Sequence, residues 1–149
     1  MPRHSETRHL PFTAEQMFDL VADVDSYPKF LPWTGAARVR GITERGDGAR
    51  VMEADLVISF KVFREKFGSQ VVLWDEARRI ETEYIDGPFK HMRSNWVFTP
   101  TEDGCTVAFD VDFAFRNLLL QSAAEVFFYE AMRRIVRAFE DRARVLYGS

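Results

Sequence analysis

Between residues 51 and 115 the chain runs through five stretches in which apolar and polar residues alternate with a period of two, the signature of strands with one dry face and one wet one. Met52, Ala54, Leu56, Ile58 and Phe60 alternate with Val51, Glu53, Asp55, Val57 and Ser59. Phe67, Ser69, Val71 and Leu73 form the next dry row, then Ile80, Thr82 and Tyr84, then Met92, Ser94, Trp96 and Phe98. Cys105, Val107, Phe109, Val111, Phe113 and Phe115 form the last. Short turn signals mark the joints: Gly46-Asp47-Gly48, Asp75-Glu76, Asp86-Gly87-Pro88 and Glu102-Asp103-Gly104. Strands joined so tightly pair as antiparallel neighbours in a meander.

A sheet with one dry face needs a second layer to cover it. The only long candidate is Leu118 to Tyr147, where Leu120, Ala124, Phe127, Ala131, Ile135, Phe139 and Leu146 recur at helical spacing. Ser122 with Glu125 reads as a capping box inside this segment, so residues 118–120 are expected to be a lead-in turn. Arg142, Arg144 and Gly148 mark its end. Six or seven strands make a sheet roughly 30 Å across, at about 4.8 Å per strand, whereas a helix with its side chains is about 10 to 12 Å wide. The sheet must curl around the helix. Whatever the helix leaves uncovered is either packed by large side chains or left as a cavity.

The N-terminal part supplies the remaining cover. Arg3 to Leu10 reads as a short first strand, and Thr13 with Gln16 is a capping box whose staple is Phe12 and Met17. Met17, Leu20, Val21 and Val24 give that helix its apolar side, and Asp25 caps a second short turn. The segment Phe30-Leu31-Pro32-Trp33-Thr34-Gly35 cannot be regular, yet its side chains call for burial.

Length and composition narrow the function classes. One domain spanning residues 1–149 is expected from 149 residues with 46% hydrophobic content. A net charge of −3 offers no general attraction to nucleic acid, DNA included, or to an anionic membrane surface, and leaves only a local patch for such a partner. The N-terminus lacks the apolar core of a signal peptide and no stretch is apolar enough to span a bilayer, so the expected location is cytoplasmic. A single cysteine, Cys105, sits in a dry row as a small apolar residue. His4 and His9 point to opposite faces of one strand, and His91 stands alone. With no Cys-x-x-Cys, His-x-x-x-His or Gly-rich phosphate loop, neither a metal site nor a catalytic centre is expected.

Tyr27-Pro28-Lys29-Phe30-Leu31-Pro32-Trp33, Asp86-Gly87-Pro88-Phe89, Trp96-Val97-Phe98-Thr99-Pro100, Asp112-Phe113-Ala114-Phe115 and Ala138-Phe139-Glu140-Asp141-Arg142-Ala143 resemble, in order, the coenzyme Q-binding protein family. That family is a branch of the START and polyketide-cyclase superfamily. The resemblance implies an α+β helix-grip fold: a curved antiparallel sheet of six or seven strands wrapped around a long C-terminal helix, with short helices between strands 1 and 2. It also implies a hydrophobic tunnel for ubiquinone or a similar lipid, which is a bound ligand and not a catalytic cofactor. Thr34 stands where the family often has Cys, which argues against thiol chemistry there.

The expected tunnel lining is Leu56, Ile58, Phe67, Ser69, Val71, Tyr84, Trp96, Phe109 and Phe113 from the strands and Phe127, Ala131 and Ile135 from the helix. Ser69, Thr82, Tyr84 and Ser94 could donate hydrogen bonds to a quinone head. Phe30, Leu31 and Trp33 are candidates for a lid or a mouth touching the respiratory membrane, the alternative role being a plug. Glu65 shares the parity of Phe67, so an inward carboxylate there would need a partner. The same branch includes a bacterial toxin that binds the large ribosomal subunit, and Arg133, Arg134 and Arg137 could form a surface for such a partner. Against this, Glu125, Glu130, Glu140 and Asp141 are placed to neutralise them.

Overall fold

The computed structural model describes residues 3–60, 63–87 and 89–148, excluding the side chains of residues 60, 63, 120, 124 and 127–129. The expected candidate Phe127, and Leu120 and Ala124 of the expected stripe, therefore lie outside the described side chains, as does Pro88. The chain order is β1 (Arg3–Leu10), α1 (Ala14–Ala22), a 3-10 turn (Val24–Lys29), β2 (Thr34–Glu44), β3 (Ala49–Phe60), β4 (Phe63–Trp74), β5 (Arg79–Asp86), β6 (Phe89–Thr101), β7 (Gly104–Phe115) and α2 (Leu118–Tyr147).

All seven strands form one antiparallel sheet in the order β1-β7-β6-β5-β4-β3-β2. Strands β3 to β7 are the expected meander, and β2 extends it by pairing with β3; Thr34 and Gly35, expected to be irregular, already belong to β2, because the break made by Pro32 ends at Trp33. At the other edge β1 adds itself to β7, with Leu10 opposite Cys105 and Arg3 opposite Asp112. This is the helix-grip architecture. The alternation sorts the residues as read: Met52, Ala54, Phe67, Ser69, Val71, Leu73, Ile80, Trp96, Phe98, Cys105, Val107, Phe109 and Val111 are buried. At the far end of β7 the pattern breaks, because Ala114 is buried while Phe113 and Phe115 are half-exposed. A register shift between Phe89 and His91 sets Phe89 opposite Phe115, and the ring of Phe89 covers both phenylalanines.

Helix α1 begins with the expected capping box, in which Gln16 N–H donates to the Thr13 hydroxyl (3.0 Å) and Thr13 N–H donates to the Gln16 side chain (2.9 Å). Helix α2 ends as expected, at Tyr147 with Gly148 in the left-handed region (φ 82°), but departs from expectation at its start and in its buried stripe. It starts at Leu118, not at residue 122, because the Asn117 side chain accepts from Leu119 N–H at 2.8 Å and fills the N-cap role. Its buried stripe is Met132, Val136, Phe139 and Ala143, whereas Leu146 is 48% exposed. Tyr147 in the last turn still packs against the core, 6.4 Å from the Phe12 ring, so Leu146 is exposed because of the side of the helix it occupies.

The width mismatch is resolved differently along the length of the grip. Among the described residues, the backbone of α2 closely approaches α1, β7 and β1. At that end Met17, Phe18 and Leu20 of α1, with Trp96, Phe98 and Phe109, pack the interior. Toward the opposite end cover thins: Leu56, Ile58, Thr82, Tyr84, Met92 and Phe113 lie on the same inner face but are only half-buried.

Candidate functional site

At the packed end, described residues enclose a small cavity. Its walls are apolar, from Leu10, Met17, Trp96, Val107, Phe109, Val136 and Phe139, and its rim carries Glu6, Arg8 and Glu140. The volume open to the centre of a water molecule is about 20 Å³, room for one water and little more. Sequence reading missed the three charged residues. Glu6 and Arg8 share the inward parity of Leu10, a signal that was available, but their partner Glu140 is 132 residues from Arg8. Arg8 donates to Glu6 and, through Nη1, to both oxygens of Glu140 (3.3 and 3.4 Å), while His4 lies 3.1 Å from Glu6. Burial works against the Arg8 charge, but the hydrogen bond and charge of Glu6, with those of Glu140, together raise its pKa above the ordinary guanidinium value. The row ties β1 to α2.

Phe30 and Leu31 pack against the core beside this cavity. The Phe30 ring meets Phe139 edge-on at 5.3 Å and Tyr27 at 6.0 Å, and the Arg142 guanidinium lies 5.5 Å from its centroid. The Tyr27 hydroxyl donates to the Val21 carbonyl, and its pKa is pushed up by burial and by Asp23. Trp33 is half-buried with a left-handed backbone (φ 61°), and its carbonyl accepts from Ser59 N–H at 2.7 Å.

The half-covered end has a different character. Phe67, Tyr84, Phe89 and Phe113 gather there, with Phe89 4% exposed and meeting the other three rings at 5.1, 5.4 and 5.8 Å. Along β7 this group lies about 13 Å from Phe109, four residues away at about 3.3 Å each. The Tyr84 hydroxyl oxygen is buried and has no hydrogen-bond partner among the described residues. Directly across the ladder is Ser69, 2% exposed, whose hydroxyl donates to the Ala54 carbonyl at 3.4 Å. Thr82 and Ser94 face each other on the next inner row, next to Val71. An unpaired hydroxyl in an apolar setting costs about 1 to 3 kcal/mol, so the Tyr84 hydroxyl is an unsatisfied donor and acceptor among the described residues.

Ala131 and Ile135 are half-buried against the core, and Leu56 and Ile58 line the same inner face. Ile58 sits opposite Glu65, which is exposed and needs no buried partner. Arg133, Arg134 and Arg137 are exposed on α2. Arg134 pairs with Glu130 at 3.0 Å, but Arg133 and Arg137 make no ion pair among the described residues, so neutralisation of the three is only partial.

No group of three or more metal-ligating side chains occurs among the described residues. Cys105 is fully buried, and burial pushes its thiol up, away from the reactive thiolate. No described helix is long and apolar enough to cross a membrane.

Comparison with known proteins places this geometry. Residues 10–140 match the family described as polyketide cyclase / dehydrase and lipid transport. The Ribosome association toxin RatA of Rickettsia prowazekii is 36% identical over 141 residues, covering 93% of each chain. The mitochondrial Coenzyme Q-binding protein COQ10 homolog B of Xenopus laevis is 35% identical over 150 residues, covering 97% of this chain and 59% of the frog protein. An 18 kDa protein from Caulobacter crescentus, solved in solution, superposes with a TM-score of 0.81 at 36% identity over the full length of both chains. A Streptomyces aromatase/cyclase shares the fold (TM-score 0.76, 18% identity, covering 97% of this chain and 95% of that one). This chain belongs to the polyketide cyclase / dehydrase and lipid transport family, in the branch shared by the ribosome association toxins and the coenzyme Q-binding proteins.

Proposed function

We propose that residues 1–149 act as one lipid-binding domain that holds a polyprenylated quinone, or a lipid of similar chemistry, and supports its delivery to respiratory electron transport. The role is binding and not catalysis, and the location is cytoplasmic, peripheral to the inner face of the respiratory membrane. The observation that carries this reading is the buried, unpartnered Tyr84 hydroxyl among Phe67, Phe89 and Phe113. A quinone carbonyl accepts a hydrogen bond from it while the rings take the apolar edge of the head group. The cavity near Trp96 is too small for a quinone ring. The ligand therefore belongs on the half-covered inner face, where Leu56, Ile58, Phe113, Ala131 and Ile135 offer apolar area worth roughly 25 cal/mol per Å² to an isoprenoid tail. The resemblance to the coenzyme Q-binding relative supports the choice of quinone.

The test is titration with ubiquinone in detergent micelles, read by quenching of tryptophan fluorescence. Saturable binding that weakens about tenfold in Tyr84→Phe, the loss of one hydrogen bond in a closed site, is the expected result. No saturable quenching by the wild-type protein at micromolar ubiquinone would refute the reading.

A second reading, association with the large ribosomal subunit, is favoured by the exposed Arg133 and Arg137, which make no ion pair among the described residues, and by the RatA relatives. Cosedimentation with large subunits at low salt, lost at high salt and in Arg133→Glu/Arg137→Glu, is its signature. Protein left free in the supernatant at low salt would reject it.

A further inference from the structure

The outer side of α2 carries a strip that neither the sheet nor the core explains. Leu119, Val126 and Arg133 are seven residues apart, and Arg137 follows by four, so all four lie along one line of the helix surface over about 27 Å. Leu118 is 82% exposed, and Leu119 and Val126 are each 75% exposed. Arg116, directly before the helix, is also exposed and makes no ion pair among the described residues. The acidic residues on and near the strip have partners: Glu130, on the same line, is held by Arg134, Asp141 by Arg144, and Glu140 by Arg8 and Arg144, while Glu125, seven residues from Leu118 and on its side of the helix, accepts from the Gln121 side-chain amide at 3.1 Å.

We propose that this strip docks the protein on an anionic lipid surface, with Leu118, Leu119 and Val126 entering the interface and Arg133 and Arg137 meeting lipid phosphates. An apolar edge combined with unpaired cations on one helical line is what an interfacial helix requires. RNA phosphates would use the arginines but give no reason for three large aliphatic side chains in water. A second copy of the chain would set cation against cation. The proposal rests on the lipid-carrier reading for its purpose, since the strip lies on the helix whose inner side faces the ligand surface, but it stands or falls on different measurements.

Flotation with vesicles of phosphatidylcholine, alone or mixed with phosphatidylglycerol, tests it on the full chain. The wild-type protein should float with the anionic vesicles and, at low salt, much less with the neutral ones. Arg133→Glu/Arg137→Glu should weaken anionic binding at least about tenfold, from loss of two surface cations. Leu118→Ser/Leu119→Ser should weaken it about tenfold through lost insertion of two leucines, and this loss should persist in high salt. All four positions are exposed, so unchanged near-ultraviolet circular dichroism is expected. Wild-type protein that stays off anionic vesicles, or variants that float as well as wild type, would overturn the proposal. So would strip variants that lose large ribosomal subunits while their vesicle binding is unchanged. Ubiquinone quenching in micelles should be untouched by the strip variants, so failure of quinone binding and failure of docking are read separately.

Discussion

Phe139→Ala tests the packed end of the grip most directly. Phe139 is 4% exposed, and its ring meets Trp96 at 5.1 Å, Phe30 at 5.3 Å and Tyr27 at 5.4 Å, all close to edge-on. It is the wedge between the sheet, α2 and the segment after the 3-10 turn. Truncating a fully buried phenylalanine costs about 3 to 5 kcal/mol, and three ring contacts put this site in the upper part of that range. For 149 residues the unfolding entropy near 60 °C is about 0.3 kcal/mol/K, so Tm should fall by roughly 10 to 16 °C. Urea unfolding followed by circular dichroism and tryptophan fluorescence gives the free energy; an unchanged m-value would show that the unfolded state is unaffected. Hydrogen exchange at Phe30 and Leu31, whose amides both donate to the Tyr27 carbonyl, should accelerate beyond the global change. The control is Leu146→Ala, at a half-exposed position, expected to fall within about 0.5 kcal/mol of wild type. A loss below about 1.5 kcal/mol for Phe139→Ala, or a loss at Leu146 of equal size, would refute the assignment of the buried stripe.

Other outcomes follow from single sites. Tyr84→Phe should stabilise the ligand-free protein by about 1 kcal/mol by removing an unsatisfied buried hydroxyl; destabilisation in urea would mean that the hydroxyl has a partner. Gly104→Ala would place a methyl 1.9 Å from the Leu10 carbonyl oxygen, so thermal unfolding should show a loss of at least about 3 kcal/mol from backbone overpacking. Asp110 accepts from the Ser5 hydroxyl at 2.7 Å and from Arg3 at 3.5 Å, which hold its pKa below the ordinary carboxylate value despite some burial. Its contribution to stability is present above the unfolded carboxylate pKa and fades as pH falls through the depressed folded value. Ser5→Ala should raise that pKa, measured by carbon NMR of the side chain, and shrink the acid-side loss.

Strands β3 to β7 and their meander order were legible because a two-residue period is a local property and short turns leave few ways to connect such segments, whereas the pairing of β1 with β7, at the far end of the chain, was not. The inward Glu6 and Arg8 were not, since what makes them tolerable is Glu140, supplied by the far end of the chain. At the start of α2 two caps competed. Ser122 with Glu125 has the right letters, but Asn117 lies next to the end of β7, where the turn has to occur, and topology decides the outcome. The width argument correctly required extra cover but could not tell which end would be filled. Trp96, Phe98 and Phe109 meet α1 and α2 at one end, while Tyr84 and Phe113 are left half-covered at the other.

The register of β1 on β7 sets a timetable for synthesis. Leu10 finds Cys105 only after some 95 further residues have been made, which at about 5 to 20 residues per second takes roughly 5 to 20 s. The meander can form in that interval, each hairpin closing on the one before. Until β7 emerges the first strand is an orphan with His4 and Leu10 uncovered, which makes it the segment that nascent-chain chaperones would have most cause to hold.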